Sequence, residues 1–308
     1  MPRLIFSLIL CLVAGAGALT AQAPPPQAAP QPAFTFTANV GEVLVQTDVL
    51  DKKGREITNL PAADFTVYEN GAKQAIKSFS HDDAPVSVGI LVDNSGSMRP
   101  KVAQVDRAAL NFVRSSNPQD EVFIVKFNDE YHLVAPFTNS IPALERDLGS
   151  IEPDSSTALY DAVINADSYL RKYGRHPKKV LLVITDGQDD ASSHTLEHTL
   201  QLLQSQNAPL IYAIGLVDKD DSRGARKGGQ RVLQEFADAT GGLAYFPKSL
   251  AQVDGITRTV AQDIRQQYSL VYHSNQTTPG FRAIRVEVQD ARRKHLTAHT
   301  RKGYVAPQ

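Results

Sequence analysis

The amino-acid sequence predicts an α/β protein: a doubly wound, mostly parallel sheet with helices on both faces, joined to a small all-β sandwich drawn from the N- and C-terminal segments. Three observations predict it. Between Val86 and Gln267 short apolar runs alternate with stretches of helical period, the pattern of strands and crossover helices in a parallel sheet. The run Val180–Thr185 is continuously apolar up to its terminal threonine, as a strand covered on both faces must be. On either side of this region the period falls to two and turn residues interrupt the runs, which is the mark of half-buried antiparallel strands.

The chain opens with Arg3, an almost wholly apolar Leu4–Val13 and then small residues, Ala14-Gly15-Ala16 and Ala21-Gln22-Ala23, so residues 1–23 are expected to be a secretory signal peptide. The apolar part fades after Val13, short of the roughly 20 residues that a membrane span needs. Residues 24–33 are proline-rich, can hold neither ladder nor helix, and are expected to be an extended linker. Residues 34–84 form an N-terminal β segment, with alternation over Val43–Val49 and Phe65–Tyr68 and turn signals at Asp51-Lys-Lys-Gly54 and Asn70-Gly71. Residues 85–266 hold the α/β domain. Its strands are expected at Val86–Val92, Val122–Phe127, Val180–Thr185 and Leu210–Leu216. Its helices are expected at Lys101–Arg114, Pro142–Leu148, Leu159–Tyr173, Leu196–Gln206, Arg231–Thr240 and Val253–Gln267. The charged stretch Asp218–Gly229 and the acidic pair Asp189-Asp190 are expected to be flexible surface. Residues 267–308 return to β, with runs at Tyr268–Tyr272, Phe281–Val288 and Leu296–Val305, and are expected to pack with 34–84. The α/β domain is then inserted between the two halves of a sandwich.

A chain of 308 residues can bury a proper core without covalent staples. Its single cysteine, Cys11, lies in the expected signal, which leaves no disulfide framework and no cysteine zinc site. Net charge is −1 with both signs mixed throughout, which argues against nucleic acid or a membrane surface as partner. The basic residues Arg292-Arg293-Lys294 and Arg301-Lys302 have no aromatic platform among them and read as a solvated hairpin. The expectation is an exported protein, periplasmic or extracellular, with no transmembrane segment in the mature chain.

In a parallel sheet the working site lies beyond the carboxyl ends of the strands. Asp93 ends the first of them and Asn-Ser95-Gly-Ser97 follows. While the backbone stays extended, oxygens at i, i+2 and i+4 point to one side, and oxygens converging at a strand end suit a hard cation. Asp186 ends the strand Val180–Thr185, and Thr157 stands before the helix predicted from Leu159. This ordered set resembles the von Willebrand factor type A family, in which Asp-x-Ser-x-Ser, a threonine on a second loop and an aspartate on a third build a metal-ion-dependent adhesion site. The resemblance spans about Val86 to Gln267. It implies a Rossmann-like fold, no catalysis, and Mg²⁺ as the ion, with Mn²⁺ and Ca²⁺ left open. It also implies metal contacts from the hydroxyls of Ser95, Ser97 and Thr157, with Asp93 and Asp186 acting largely through water or hydrogen bonds. Neutral hydroxyls leave the ion's charge poorly offset, so the implied partner is a protein that supplies an Asp or Glu side chain. The flanks Asp51–Gly71, Gln267–Tyr272 and Arg301–Tyr304 are similar to the exported von Willebrand A-related proteins abundant in Acidobacteria.

Three enzymatic alternatives can be set against this reading, two of which use residues of the same set. A phosphatase of the haloacid-dehalogenase type would employ Asp93 as nucleophile and Thr185–Asp190 as its Mg²⁺ loop, but Ser95 stands where the general acid/base is required. His194-Thr-Leu-Glu197-His198 matches the H-x-x-E-H zinc-protease pattern, yet no partner glutamate is identifiable and the segment reads as a solvated helix face. Ser95 as a hydrolase nucleophile lacks G-x-S-x-G and a histidine tied to it by spacing. The plain alternative to a site is a polar loop with Ser97 capping a helix.

Overall fold

The computed structural model describes residues 41–148, 154, 156–216, 222–291, 293 and 295–306. The expected signal peptide, the linker, the start of the N-terminal β segment and Asp218–Asp221 lie outside them. Four strands precede the central domain: β1 (Glu42–Leu50), β2 (Phe65–Glu69), β3 (Ala72–Gln74) and β4 (Ile76–Ser80). The turn between β2 and β3 is Asn70-Gly71, and both residues have positive φ, 48° and 81°, as a type I′ hairpin demands.

The central sheet is built from β5 (Val86–Asp93), β6 (Glu121–Phe127), β7 (Tyr131–Thr138), β8 (Lys178–Thr185), β9 (Leu210–Gly215) and β10 (Ala244–Tyr245). Its order is β10-β9-β8-β5-β6-β7, and all neighbours are parallel except β7, an antiparallel edge. The sequence did not announce β7. Pro136 interrupts its ladder, which is tolerated only at an edge. Helices α1 (Val102–Ser115) and α2 (Ile141–Leu148) cover one face. Helices α3 (Leu159–Tyr173), α4 (Leu196–Leu203) and α5 (Arg223–Thr240) cover the other, through Leu159, Leu203 and Phe236 among others. The last helix, α6 (Val253–Gln266), returns to the α1 side and packs Val260 and Ile264 there.

Helix α5 corrects the sequence expectation. It starts at Arg223 rather than Arg231, so Arg223–Gly229 is helix and not flexible surface. Ser222 caps it, its hydroxyl accepting the Ala225 N–H at 3.2 Å. Gly228 and Gly229 hid this start, because glycine is a poor helix former and marks turns more often than first turns. Helix α4 ends at Leu203, short of Gln206, because the chain there turns to meet another strand: the Val305 N–H donates to Gln204 O at 2.7 Å.

The C-terminal strands are β11 (Tyr268–His273), β12 (Gly280–Val288), β13 (Thr297–Thr300) and β14 (Gly303–Ala306). They join the N-terminal strands in two four-stranded sheets, β13-β1-β11-β4 and β14-β12-β2-β3. Val43, Val45, Val67, Tyr272, Ile284 and Tyr304 close the core between them. The run expected over Leu296–Val305 is therefore two strands in different sheets, broken at Arg301-Lys302. Arg301 is buried at the break, where its guanidinium donates to the carbonyls of Gly303, Ser205 and Gln206. Among the described residues no helix is long and apolar enough to cross a membrane.

Candidate metal-binding site

Strand β5 delivers Asp93 to the carboxyl end of the sheet, wholly buried, and the chain then climbs outward. Ser95 is buried and Ser97 is exposed, so the motif runs from core to solvent within five residues. The Asp93 carboxylate accepts the Ser95 N–H through Oδ1 at 2.9 Å and the Thr185 hydroxyl through Oδ2 at 2.5 Å. Thr185 Oγ1 in turn accepts the Gly187 N–H at 3.0 Å, which ties the end of β8 to the end of β5. Burial pushes the Asp93 carboxyl up to about 6; the Ser95 and Thr185 donors oppose that rise and the neighbouring Asp186 charge adds to it.

The hydroxyls of Ser95 and Ser97 are 3.1 Å apart, and Ser97 Oγ donates to Asp186 Oδ2 at 2.9 Å. Asp93, Ser95, Ser97 and Asp186 are thus one connected group. A 3₁₀ turn over Gly96–Met98 follows, and α1 begins only at Val102, so Ser97 is no α-helix cap. Thr157 reaches the same rim by backbone bonding: the Asp154 N–H donates to Asn94 O at 3.1 Å and the Ala158 N–H to Asn128 O at 2.6 Å. Among the described residues no hydrogen bond joins the Thr157 hydroxyl to the other four.

The fit of this donor set to a small divalent ion can be tested on its spacing. Oxygens about 2.1 Å from Mg²⁺ at right angles to one another lie about 3.0 Å apart. The 3.1 Å between the Ser95 and Ser97 hydroxyls matches such an edge, and the 2.9 Å hydrogen bond to Asp186 fixes Ser97 beside it. Among the described residues no group of three or more His, Cys, Asp or Glu side chains could hold a metal ion, and the oxygens gathered at this rim are hydroxyls and the carboxyls of Asp93 and Asp186. That donor chemistry suits a hard cation rather than zinc.

Sequence reasoning missed the residues that hold the loops. Asp189 and Asp190 are structural rather than flexible surface. Asp190 Oδ1 accepts the Thr157 N–H at 2.7 Å, and Asp189 Oδ2 accepts the Tyr160 N–H at 3.0 Å and the Ser192 hydroxyl at 2.6 Å. The signal available was their place just after Asp186, on the loop that faces the open first turn of α3. Asp161 does the same for the next segment, accepting the N–H groups of Ser193 and His194 at 2.9 and 3.1 Å. Against the upward push of burial, those donors hold its carboxyl at about 2. His194 and His198 stack at 5.1 Å, and His194 Nδ1 lies 2.7 Å from Asp161, so this pair is engaged at a solvated helix start, and among the described residues it belongs to no group of three that could hold a metal ion.

Residues 88–188 match the von Willebrand factor type A domain model. A von Willebrand factor type A structure from Catenulispora acidiphila is 13% identical and covers 89% of this chain and 76% of its own, with a TM-score of 0.51. That likeness concerns the fold, and its 89% coverage reaches beyond residues 88–188. An aerotolerance-related membrane protein from Bacteroides fragilis is 20% identical over 58% of this chain and 98% of its own, with a TM-score of 0.48. The vWF domain of the type V pili tip protein Mfa5 from Porphyromonas gingivalis is 12% identical over 63% of this chain and 98% of its own, with a TM-score of 0.44. No curated protein matches the chain.

Proposed function

We propose that this protein is an exported, non-enzymatic binding module in which a divalent ion at the type A rim captures an Asp or Glu side chain of a partner protein. The observation that carries it is the pair of hydroxyls of Ser95 and Ser97, 3.1 Å apart as two neighbouring ligands of Mg²⁺ would be, with Asp186 holding Ser97 by a 2.9 Å hydrogen bond. Ser95, Ser97 and Thr157 would hold the ion by hydroxyls, with Asp93 and Asp186 fixing them. The bound ion supplies an under-neutralised positive charge that a carboxylate can satisfy. Asp93 orients Ser95 through its amide, and Thr185 keeps the Asp93 carboxylate turned into the core. Ser97, being exposed, marks the side from which a partner approaches.

The phosphatase alternative needs Asp93 to attack a substrate. Its carboxylate is fully buried and engaged by Ser95 and Thr185, which weighs against that role. Export is supported by the N-terminal signal pattern. The test is thermal unfolding of the full chain in Mg²⁺ or chelator. At a hundred times its Kd, Mg²⁺ stabilises by about 2.7 kcal/mol, which for a chain of this size is roughly 5 to 10 °C. The shift is expected in the wild type and absent from Asp93→Ala and Asp186→Ala. Equal shifts in all three, or none in the wild type, would remove the assignment.

A further inference from the structure

Helix α5 stands over one side of the metal rim. Gly187, with φ 83°, and Gly229 meet backbone to backbone: a Cβ on Gly229 would lie 2.4 Å from Asp186 O, and one on Gly187 would lie 2.6 Å from Gly229 O. From this rim α5 descends to the opposite end of the sheet, where the Thr240 hydroxyl accepts the Ile211 N–H at 2.9 Å. Arg226 precedes Gly229 by three positions, so it occupies the same helix face one turn nearer the rim. Helical side chains lean toward the N-terminus, which here is outward past the Asp186 loop. Arg223 continues that row and Lys227 adjoins it.

These cations stand where the fold gains nothing from them. Positive side chains in a helix's first turns oppose its macrodipole, and like charges three and four residues apart repel. The first turn of α5 contains no acidic residue. Other arginines nearby are engaged: Arg99 lies 4.0 Å from Asp154, and Arg231 lies 3.7 Å from Glu235. Among the described residues Arg223, Arg226 and Lys227 have no ion-pair partner. Arg223 and Lys227 are exposed and Arg226 is half-buried. A local electrostatic cost beside a site that takes an anion points to the anion's surroundings.

We infer that the first two turns of α5 are the second half of the partner site, and that the captured segment is an acidic stretch whose further carboxylates pair with Arg226, Arg223 and Lys227. The inference rests on the metal-dependent capture proposed above, and it narrows the partner from any protein with an accessible Asp or Glu to one that presents several together. The α5 cations set specificity, while the metal sets attachment.

The experiment uses the full chain and two fluorescent peptides of glycine and serine, one with a single glutamate and one with three in succession, followed by anisotropy with Mg²⁺ and with chelator. The wild type is expected to bind both in Mg²⁺ only, and the three-glutamate peptide about tenfold more tightly, the worth of two or three partly exposed ion pairs. Arg226→Glu combined with Arg223→Glu is expected to erase that preference while keeping the Mg²⁺ requirement and the Mg²⁺-induced rise in Tm. Ser97→Ala is expected to lose the Mg²⁺ dependence for both peptides. If the wild type binds the two peptides equally, or the double variant keeps the preference, the inference fails and the metal site stands. If neither peptide responds to Mg²⁺, both fail.

Discussion

At the carboxyl end of the central sheet, Asp93 and Asp186 are separated by hydroxyls and backbone N–H groups, and the arrangement opens to solvent at Ser97. At the amino end, where α6 runs into the sandwich strand β11, Asp48, Glu56 and Asp263 face one another instead. Gln267 Nε2 donates to Asp48 Oδ2 at 3.1 Å and to the Tyr212 hydroxyl at 3.0 Å, while the Tyr245 hydroxyl donates to Asp263 Oδ2 at 2.5 Å. Burial pushes Asp48 up to about 6, and burial followed by the hydrogen bond and charge of Asp263 pushes Glu56 up to about 8. Since Asp93 is also pushed up to about 6, carboxyl acidity alone does not distinguish the two ends. What distinguishes them is the company each acid keeps. The acids at the carboxyl end are hydrogen-bonded by hydroxyls, whereas those at the amino end face other carboxyls that raise one another's acidity range.

The sharpest break in that comparison comes from glycine. Gly187→Ala would force an L-residue into φ 83° and place a Cβ 2.6 Å from Gly229 O, so it is expected to cost about 3 kcal/mol and to abolish the Mg²⁺ response. Gly242→Ala at the other end meets Ile211 O at 2.1 Å and should cost a similar amount while keeping the Mg²⁺ response. Urea denaturation with and without Mg²⁺ separates the two outcomes.

Next in size is Thr185→Val, which strips the donor from buried Asp93 and the acceptor from the Gly187 N–H. A loss of about 2 kcal/mol and weaker Mg²⁺ binding are expected. Tyr245→Phe removes one donor from Asp263 and should cost about 1 kcal/mol with Mg²⁺ affinity unchanged. If Tyr245→Phe weakened Mg²⁺ binding as much as Thr185→Val, the two ends would not be independent.

The smallest effect is in pH. The unfolded chain releases these carboxyl protons in the ordinary range, the folded chain only near pH 6 for Asp48 and pH 8 for Glu56. Between those limits the folded chain binds more protons, so stability falls as pH rises through the window. Glu56→Gln should flatten the fall from the ordinary carboxyl range up to pH 8, leaving below pH 6 only the part that Asp48 contributes. Glu56 is half-exposed, so solvent screening keeps the change to a degree or two of Tm. An unaltered slope in that variant would place the titration elsewhere.

The central sheet, and the meeting of Asp93, Ser95, Ser97 and Asp186 at its carboxyl end, were readable before any coordinates. A strand buried on both faces must be apolar throughout, so Val180–Thr185 shows its place in its composition, and oxygens at alternate positions of a strand end point to one side, so Asp93-x-Ser95-x-Ser97 shows that they converge. The features that escaped depend on partners distant in sequence. Asp189 and Asp190 look like solvent-seeking acids until the first turn of α3 is brought against them. Asp48 sits on β1 at an outward-facing position, which the alternation would assign to solvent, and it is buried because the α/β domain lies over that face. Helix α5 was shortened because Gly228-Gly229 reads as a break, although the close approach to Gly187 is what requires glycine there.

The measurement that bears most directly on the account is calorimetric titration of Mg²⁺ into the full chain and into Ser97→Ala, a variant at an exposed position that leaves the buried Asp93–Thr185 contact in place. One ion per chain is predicted for the wild type, with affinity at least about tenfold weaker in Ser97→Ala, the loss of one of the hydroxyl donors. No saturable binding in the wild type, or the same affinity in both proteins, would contradict it.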